Sequence, residues 1–286
     1  MAKGQPGDPM RFTVQHDTLY RYSTPVRLAD HLLRLTPRAD SGSFDHRLDI
    51  TPIPTWRRTE TDAAGNALTR LGFDGETTEF GISSRIAGHT VPPPPPLPAL
   101  PPLPWPPAGL PAYLGQDDPQ GADPVVAAFS RSLAAEAGGD PARFLQLLTE
   151  TLYRRTDRQI RTEGNAQTAR HTLDSARGAC RDLTVLFMAA CQAQGIPARF
   201  ASGYQAHAET VDGGRHLHAW PQVFLPGAGP AFGWRAFDPT HGMAMTDGHV
   251  TLAAAAEQRD TMPVEGGFFA NGVTATLTFS LRIDTA

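Results

Sequence analysis

An α+β fold is predicted for this 286-residue chain. Three observations predict it: an apolar helix led by a cysteine, antiparallel strands after it that carry a histidine and an aspartate, and a long alternating region before it. For the helix, the stretch from Arg181 to Gln194 sets Leu183, Leu186, Phe187, Ala190 and Cys191 at steps of three and four, the spacing of one buried helical face. Cys180 stands at its head in Gly178-Ala179-Cys180-Arg181-Asp182. Gly195-Ile196-Pro197 stops the helix, and Ala198 to Tyr204 reads as the strand that follows. Val211-Asp212-Gly213-Gly214 is a turn signal, after which His216 to Leu225 runs back as a strand bearing His218. A second turn, Pro226 to Pro230, leads to a short strand from Gly233 to Asp238. Cys180, His218 and Asp238 can then meet at one edge of an antiparallel sheet.

The region before the helix reads differently. From Met10 to about Thr90 apolar and polar residues alternate, as in Phe12-Thr13-Val14-Gln15-His16 and Leu48-Asp49-Ile50, with turn signals at Ser41-Gly42 and Ala64-Gly65-Asn66. Residues 9–90 are therefore expected to form a mostly-β region. Between Pro92 and Pro107 eleven of sixteen residues are proline. Such a run cannot donate ladder hydrogen bonds and favours a polyproline II rod. Residues 91–120 are thus a connector, read as a spacer or surface strap rather than as a docking site for an aromatic-lined recognition domain. Residues 121–286 are expected to form the catalytic core. It begins with helices from Pro124 to Ala137 and from Pro141 to Arg155, the second with Asp140 as N-cap and Pro141 at its first position. Residues 272–284 alternate strictly and close the chain as a strand.

Charge and cysteine usage exclude several classes. The 25 basic residues stand against 29 acidic ones with no basic stripe, so nucleic acid is not an expected partner. No stretch approaches the roughly 20 apolar residues of a membrane span, and Met1 to Met10 hold no apolar run. No membrane partner is expected, and the expected location is cytoplasmic. Cys180 and Cys191 are eleven residues apart on one helix, roughly 16 Å along its axis, beyond the about 7 Å that a bridge allows between Cα atoms. Both should be free thiols. His216 and His218 share a strand face and, with Cys180, suggest a transition-metal site. No second ligand block accompanies them, however, and a metal would occupy the nucleophile. No metal and no cofactor are expected, and no loop has the ligand spacing of calcium.

A thiol attacks only as thiolate, so it needs a base within hydrogen-bond reach and a field that favours the anion. The helix N-terminus supplies part of that field to Cys180. His218 is the candidate base and acid, and Asp238 the carboxylate that orients it. They lie 38 and 20 residues apart in turn, so only the fold can unite them. Asp182 is read as a first-turn carboxylate that favours the helix, with a second acid in the site as the alternative. His216 is expected on the cleft wall, Arg199 and Tyr204 in support of the sheet and cleft, and Trp220 and Trp234 in the core, with a place lining an acyl pocket as the alternative for either. For an acyl oxyanion, the Cys180 N–H is one donor and Tyr153 is a candidate for the second.

These blocks carry a resemblance. Gly178-Ala179-Cys180-Arg181-Asp182-Leu183, Gly195-Ile196-Pro197-Ala198-Arg199-Phe200 with Gly203-Tyr204, His218-Ala219-Trp220, Gly233-Trp234 and Asp238-Pro239-Thr240 together resemble the bacterial transglutaminase-like superfamily. The N-terminal part resembles the region that often precedes this core in bacteria, through His16, Tyr20-Arg21-Tyr22, Pro25-Val26, Leu32, Leu33 and Leu35 before Pro37, and Asp62 with Gly65-Asn66. The resemblance implies a papain-like α+β core with Cys180 as nucleophile, His218 as general base and acid, and Asp238 holding the imidazole. One departure is Gln222, where a Glu is common after His-Ala-Trp; another is Ala190-Cys191-Gln192, a stretch that often carries Arg. The expected function is thiol acyl transfer on a carboxamide or peptide bond through a thioester. Hydrolysis by a cysteine protease or amidase, and a non-catalytic peptide-binding module, are the alternatives. The expected partner is a protein or peptide substrate with such a bond.

Overall fold

The computed structural model describes residues 9–107, 109–115, 123–161, 164–206, 216–244 and 248–286; the turn expected at 211–214 lies outside them. Among the described residues, helices form where capping chemistry and apolar spacing agree. Helix α1 (Pro124–Glu136) starts at Asp123, whose carboxylate accepts from the Val125 and Val126 amides, and α2 (Pro141–Arg155) starts at Asp140, which accepts from Ala142 and Arg143. Each has proline at its first position, where a missing N–H costs nothing. A short α3 (Ala169–Ser175) leads to α4 (Cys180–Gln192). Leu183, Leu186, Phe187, Ala190 and Cys191 are buried, and the last four join one core with Phe144, Leu145 and Leu148 of α2. The chain leaves α4 at Gly195, which has φ +74°, and a Cβ there would lie 2.1 Å from the Trp105 carbonyl oxygen. Only glycine satisfies both demands.

Helix α4 packs on a five-stranded antiparallel sheet in the order Met243–Ala244, Gly233–Asp238, His218–Leu225, Ala198–Gln205, His249–Ala255. The last of these strands is not visible in the sequence. Its Ala253-Ala254-Ala255 run has no β-branching, and because Val250 to Ala255 are all buried the period-2 pattern vanishes.

The N-terminal region is mostly β, as expected. Arg11–Leu28 pairs with Thr77–Thr90, which pairs in turn with Gly42–Thr51. A smaller sheet runs Val264–Glu265, His31–Leu33, Ala67–Gly72, Trp56–Thr61. One expectation needs correction. The closing strand, Ala275–Thr285, falls within the 121–286 expected to form the catalytic core. It instead lies along Arg11–Leu28, in register from Phe12 opposite Thr285 to Tyr22 opposite Ala275. Alternation identifies a half-buried strand but carries nothing about its partner.

The two parts share a core. Phe12, Val14, Leu33, Leu35 and Ile86 pack with Tyr204, Val250 and Leu252. Backbone polar groups along the outer strand are met by N-terminal groups: the Arg38 amide donates to the Thr251 carbonyl at 2.9 Å, and the Thr251 amide donates to Ser41 Oγ at 3.0 Å. Asn66 acts as a substitute strand, its side chain donating to the Ala254 carbonyl at 3.0 Å and accepting from the Ala254 amide at 2.8 Å. The proline-rich segment is a strap: Leu97, Leu100, Leu103 and Trp105 pack on the helical core, and the Leu103 and Trp105 amides donate to Gly139 and Gln194. Among the described residues no helix is long and apolar enough to cross a membrane.

Candidate active site

The head of α4 is held by Asp182. Its carboxylate is wholly buried, accepts from the Ala179 amide at 2.7 Å and the Gln167 amide at 2.7 Å, and pairs with Arg161. This places Asp182 in support of the helix rather than in the chemistry, and it fixes Cys180 at the first helical position. The preceding Arg177–Gly178 segment is held by parallel pairing with Asp157–Arg158. Cys180 stands partly open at the floor of a cleft of about 390 Å³.

The sheet delivers the other two predicted residues. His218 opens its strand and Asp238 ends the antiparallel neighbour, so both lie at the same end of the sheet, facing the head of α4. His218 Nε2 lies 2.9 Å from Asp238 Oδ2, both side chains are buried, and the other ring nitrogen is left for the cysteine. Burial favours the neutral thiol, but the hydrogen bond and charge of His218, with a hydrogen bond from the Ala219 backbone, outweigh it and pull the Cys180 pKa down. For His218, burial opposes the cation, yet the Asp238 charge and hydrogen bond, with Cys180, push its pKa up to about 10. Asp238 is held well below the usual carboxylate range, because His218 and its neighbours override the cost of burial. The arrangement favours a thiolate beside an imidazolium.

Two residues that sequence reasoning missed converge on the same carboxylate. His241 Nδ1 lies 2.7 Å and His249 Nε2 3.3 Å from Asp238 Oδ2, while Oδ1 accepts the Thr240 and His241 amides. His241 directly follows the Asp238-Pro239-Thr240 block and its proximity was readable. His249 sits on the unanticipated strand, and no spacing points to it.

The remaining assignments fall as follows. His216 lines the cleft, its ring edge-on to Phe279 with centroids 6.1 Å apart. Arg199 is buried, donates to Gln222 Oε1 at 2.7 Å and lies 4.1 Å over the Trp234 ring, so Gln222 gives it a neutral partner. Tyr204 and Trp220 are fully buried. Tyr153 is a correction. Its ring packs on Gly242 and under the Arg158 guanidinium at 4.4 Å, and it is not among the residues lining the cleft. Helical periodicity could not say which way it faced. The segment just upstream that does line the cleft carries Arg158, Gln159 and Arg161, and the Gln159 amide donates to the Gly178 carbonyl at 2.9 Å. The far wall comes from the N-terminal sheet: His16, Thr18 and Tyr20 from one strand and Leu277, Phe279 and Leu281 from the next.

Residues 12–87 match the bacterial transglutaminase-like N-terminal region and residues 131–239 match the transglutaminase-like superfamily. An uncharacterized protein of Mycobacterium tuberculosis is 28% identical over 296 residues, covering 96% of this chain and 92% of its own. An uncharacterized protein of Mycobacterium leprae is 24% identical over 278 residues, covering 92% and 95%. The crystal structure of a "putative cysteine protease" from Cytophaga hutchinsonii superposes with a TM-score of 0.66 at 17% identity, covering 97% of this chain and 91% of that one, and so shares the fold.

Proposed function

We propose that this chain, with its transglutaminase-like superfamily core at residues 131–239, is a cysteine acyl-transfer enzyme acting on a carboxamide or peptide carbonyl. The observation that carries the reading is the Cys180–His218–Asp238 contact, with its lowered thiol and raised imidazole. Cys180 Sγ attacks the carbonyl carbon, and the tetrahedral oxyanion is met by the Cys180 N–H, one of the first-turn amides of α4 that have no acceptor within the helix. Collapse breaks the C–N bond as His218 gives its proton to the departing nitrogen, leaving a thioester. An amine or water then yields its proton to His218, attacks the thioester and releases the thiolate. Asp238 stays ionised throughout and stabilises the imidazolium.

Transfer to an amine is the first reading. The wall of Leu277, Phe279 and Leu281 beside the thiol supports it, because an amine acceptor wins only where water is held back. Hydrolysis of a peptide or amide is the second reading, supported by the fold shared with the Cytophaga protein. Intact-mass spectrometry separates them: a glutamine-containing peptide library is incubated with and without a primary amine, using wild type and Cys180→Ala. Amine adducts that vanish in the variant carry the first reading, and deamidated or cleaved peptides the second. An iodoacetamide rate at Cys180 no faster than that of an ordinary thiol, with no product, would return the protein to the peptide-binding class.

A further inference from the structure

Asp238 Oδ2 is met by more imidazoles than an orienting carboxylate needs. His218 Nε2, His241 Nδ1 and His249 Nε2 lie 2.9, 2.7 and 3.3 Å from it. The ligand atoms of His218, Asp238 and His249 all fall within 4.8 Å of one another. A tetrahedral zinc ion with bonds of about 2.0–2.1 Å sets its ligands about 3.3 Å apart, so shifts of a few tenths of an ångström to about an ångström would close the set. Access exists on two sides. His218 and His241 line the catalytic cleft, and His249 lines a second cavity of about 220 Å³ bordered by Gln222 and Thr251.

We propose that His218, Asp238 and His249 form a binding site for a late first-row divalent cation such as zinc, with His241 or water as the fourth ligand, and that the ion switches the enzyme off. Imidazole and carboxylate donors suit zinc rather than magnesium or calcium. The ion takes the place of the proton on His218 Nε2, which leaves to solvent, while the Nδ1 proton stays toward Cys180. The thiolate keeps a positive partner and can still be alkylated. The ring, however, can pass its Nδ1 proton to a departing amine only by becoming a metal-bound imidazolate, so acylation stops. This consequence rests on the acyl-transfer reading; the binding itself does not.

The test is titration calorimetry with zinc, backed by metal content after gel filtration, on wild type, Cys180→Ala, His249→Gln and His241→Gln, each checked for folding by its thermal melt. The proposal expects one zinc per chain in both wild type and Cys180→Ala, with at least tenfold weaker binding in folded His249→Gln. Zinc should abolish Cys180-dependent product reversibly by chelator, while the iodoacetamide rate at Cys180 stays within about threefold. Loss of binding in Cys180→Ala, zinc protection of Cys180 from iodoacetamide, or undiminished binding in folded His249→Gln would each overturn it. If no product is found under any condition, the acyl-transfer reading fails while the calorimetric result still decides the site.

Discussion

Cys180 and His218 change each other's proton affinity in one contact, the thiol falling and the imidazole rising to about 10. The reactive ion pair therefore exists from the lowered thiol pKa up to about pH 10, where His218 gives up its proton. An ordinary thiol is only about 3% thiolate at pH 7. Alkylation of Cys180 by iodoacetamide should accordingly rise with pH at a midpoint below that of an ordinary thiol. Asp238→Asn, which removes the charge that holds His218 protonated, should slow it about 10- to 30-fold at pH 7. A rate that climbs with a midpoint near 8.5 in wild type would sink this. These residues were legible because each sits in its own motif block and the chemistry of a thiol demands the other two. His249 was not, because its link to the site is a contact between strands and leaves no mark in local spacing.

At the scale of elements, α4 depends on both ends. Asp182→Ala removes the acceptor for two backbone amides and leaves Arg161 without its partner. The expected loss is about 2–4 kcal/mol, read by denaturant unfolding, with a fall in Cys180 reactivity as the helix start frays. At the other end, Gly195→Ala forces a side chain into a left-handed position against the Trp105 carbonyl. It should cost at least about 1 kcal/mol and loosen the strap, seen as faster proteolysis within residues 97–107. Both ends were readable, since a cysteine-led apolar stripe and Gly-Ile-Pro mark start and stop. The Ala253–Ala255 strand was unreadable for the opposite reason: full burial removes the alternation that betrays a strand.

Over the whole molecule, the N-terminal sheets and the helical core behave as one unit because Tyr204, Val250 and Leu252 belong to the N-terminal core. His16 reports on this joint. Its ring lies 3.0 Å from the Tyr204 hydroxyl, and burial lowers its pKa to about 4. Below pH 6.5 the unfolded chain takes up a proton that the folded one refuses, so His16 costs stability as pH falls toward 4. His218 acts with the opposite sign, since its raised pKa gives stability that is complete below 6.5 and lost as pH climbs toward 10. The thermal midpoint should therefore decline on both sides, with a shallower acid limb in His16→Gln and a shallower alkaline limb in Asp238→Asn. An acid limb unchanged by His16→Gln would remove that residue from the account. The cleft wall belongs to this scale too. Phe279→Ala should raise KM several-fold while leaving the alkylation rate of Cys180 within about twofold, measured with any substrate the mass-spectrometric screen yields.

The closing strand sets an order on synthesis. Phe12 pairs with Thr285, so the strand that emerges early from the ribosome waits for one made 273 positions later (285 − 12). Until Ala275–Thr285 is translated, the face of Leu277, Phe279 and Leu281 is missing beside a cysteine, histidine and aspartate already synthesised. A nascent chain thus carries the nucleophile without its enclosure. On the acyl-transfer reading, the wall that holds water back is therefore added to the cleft only after the three reacting side chains have been made.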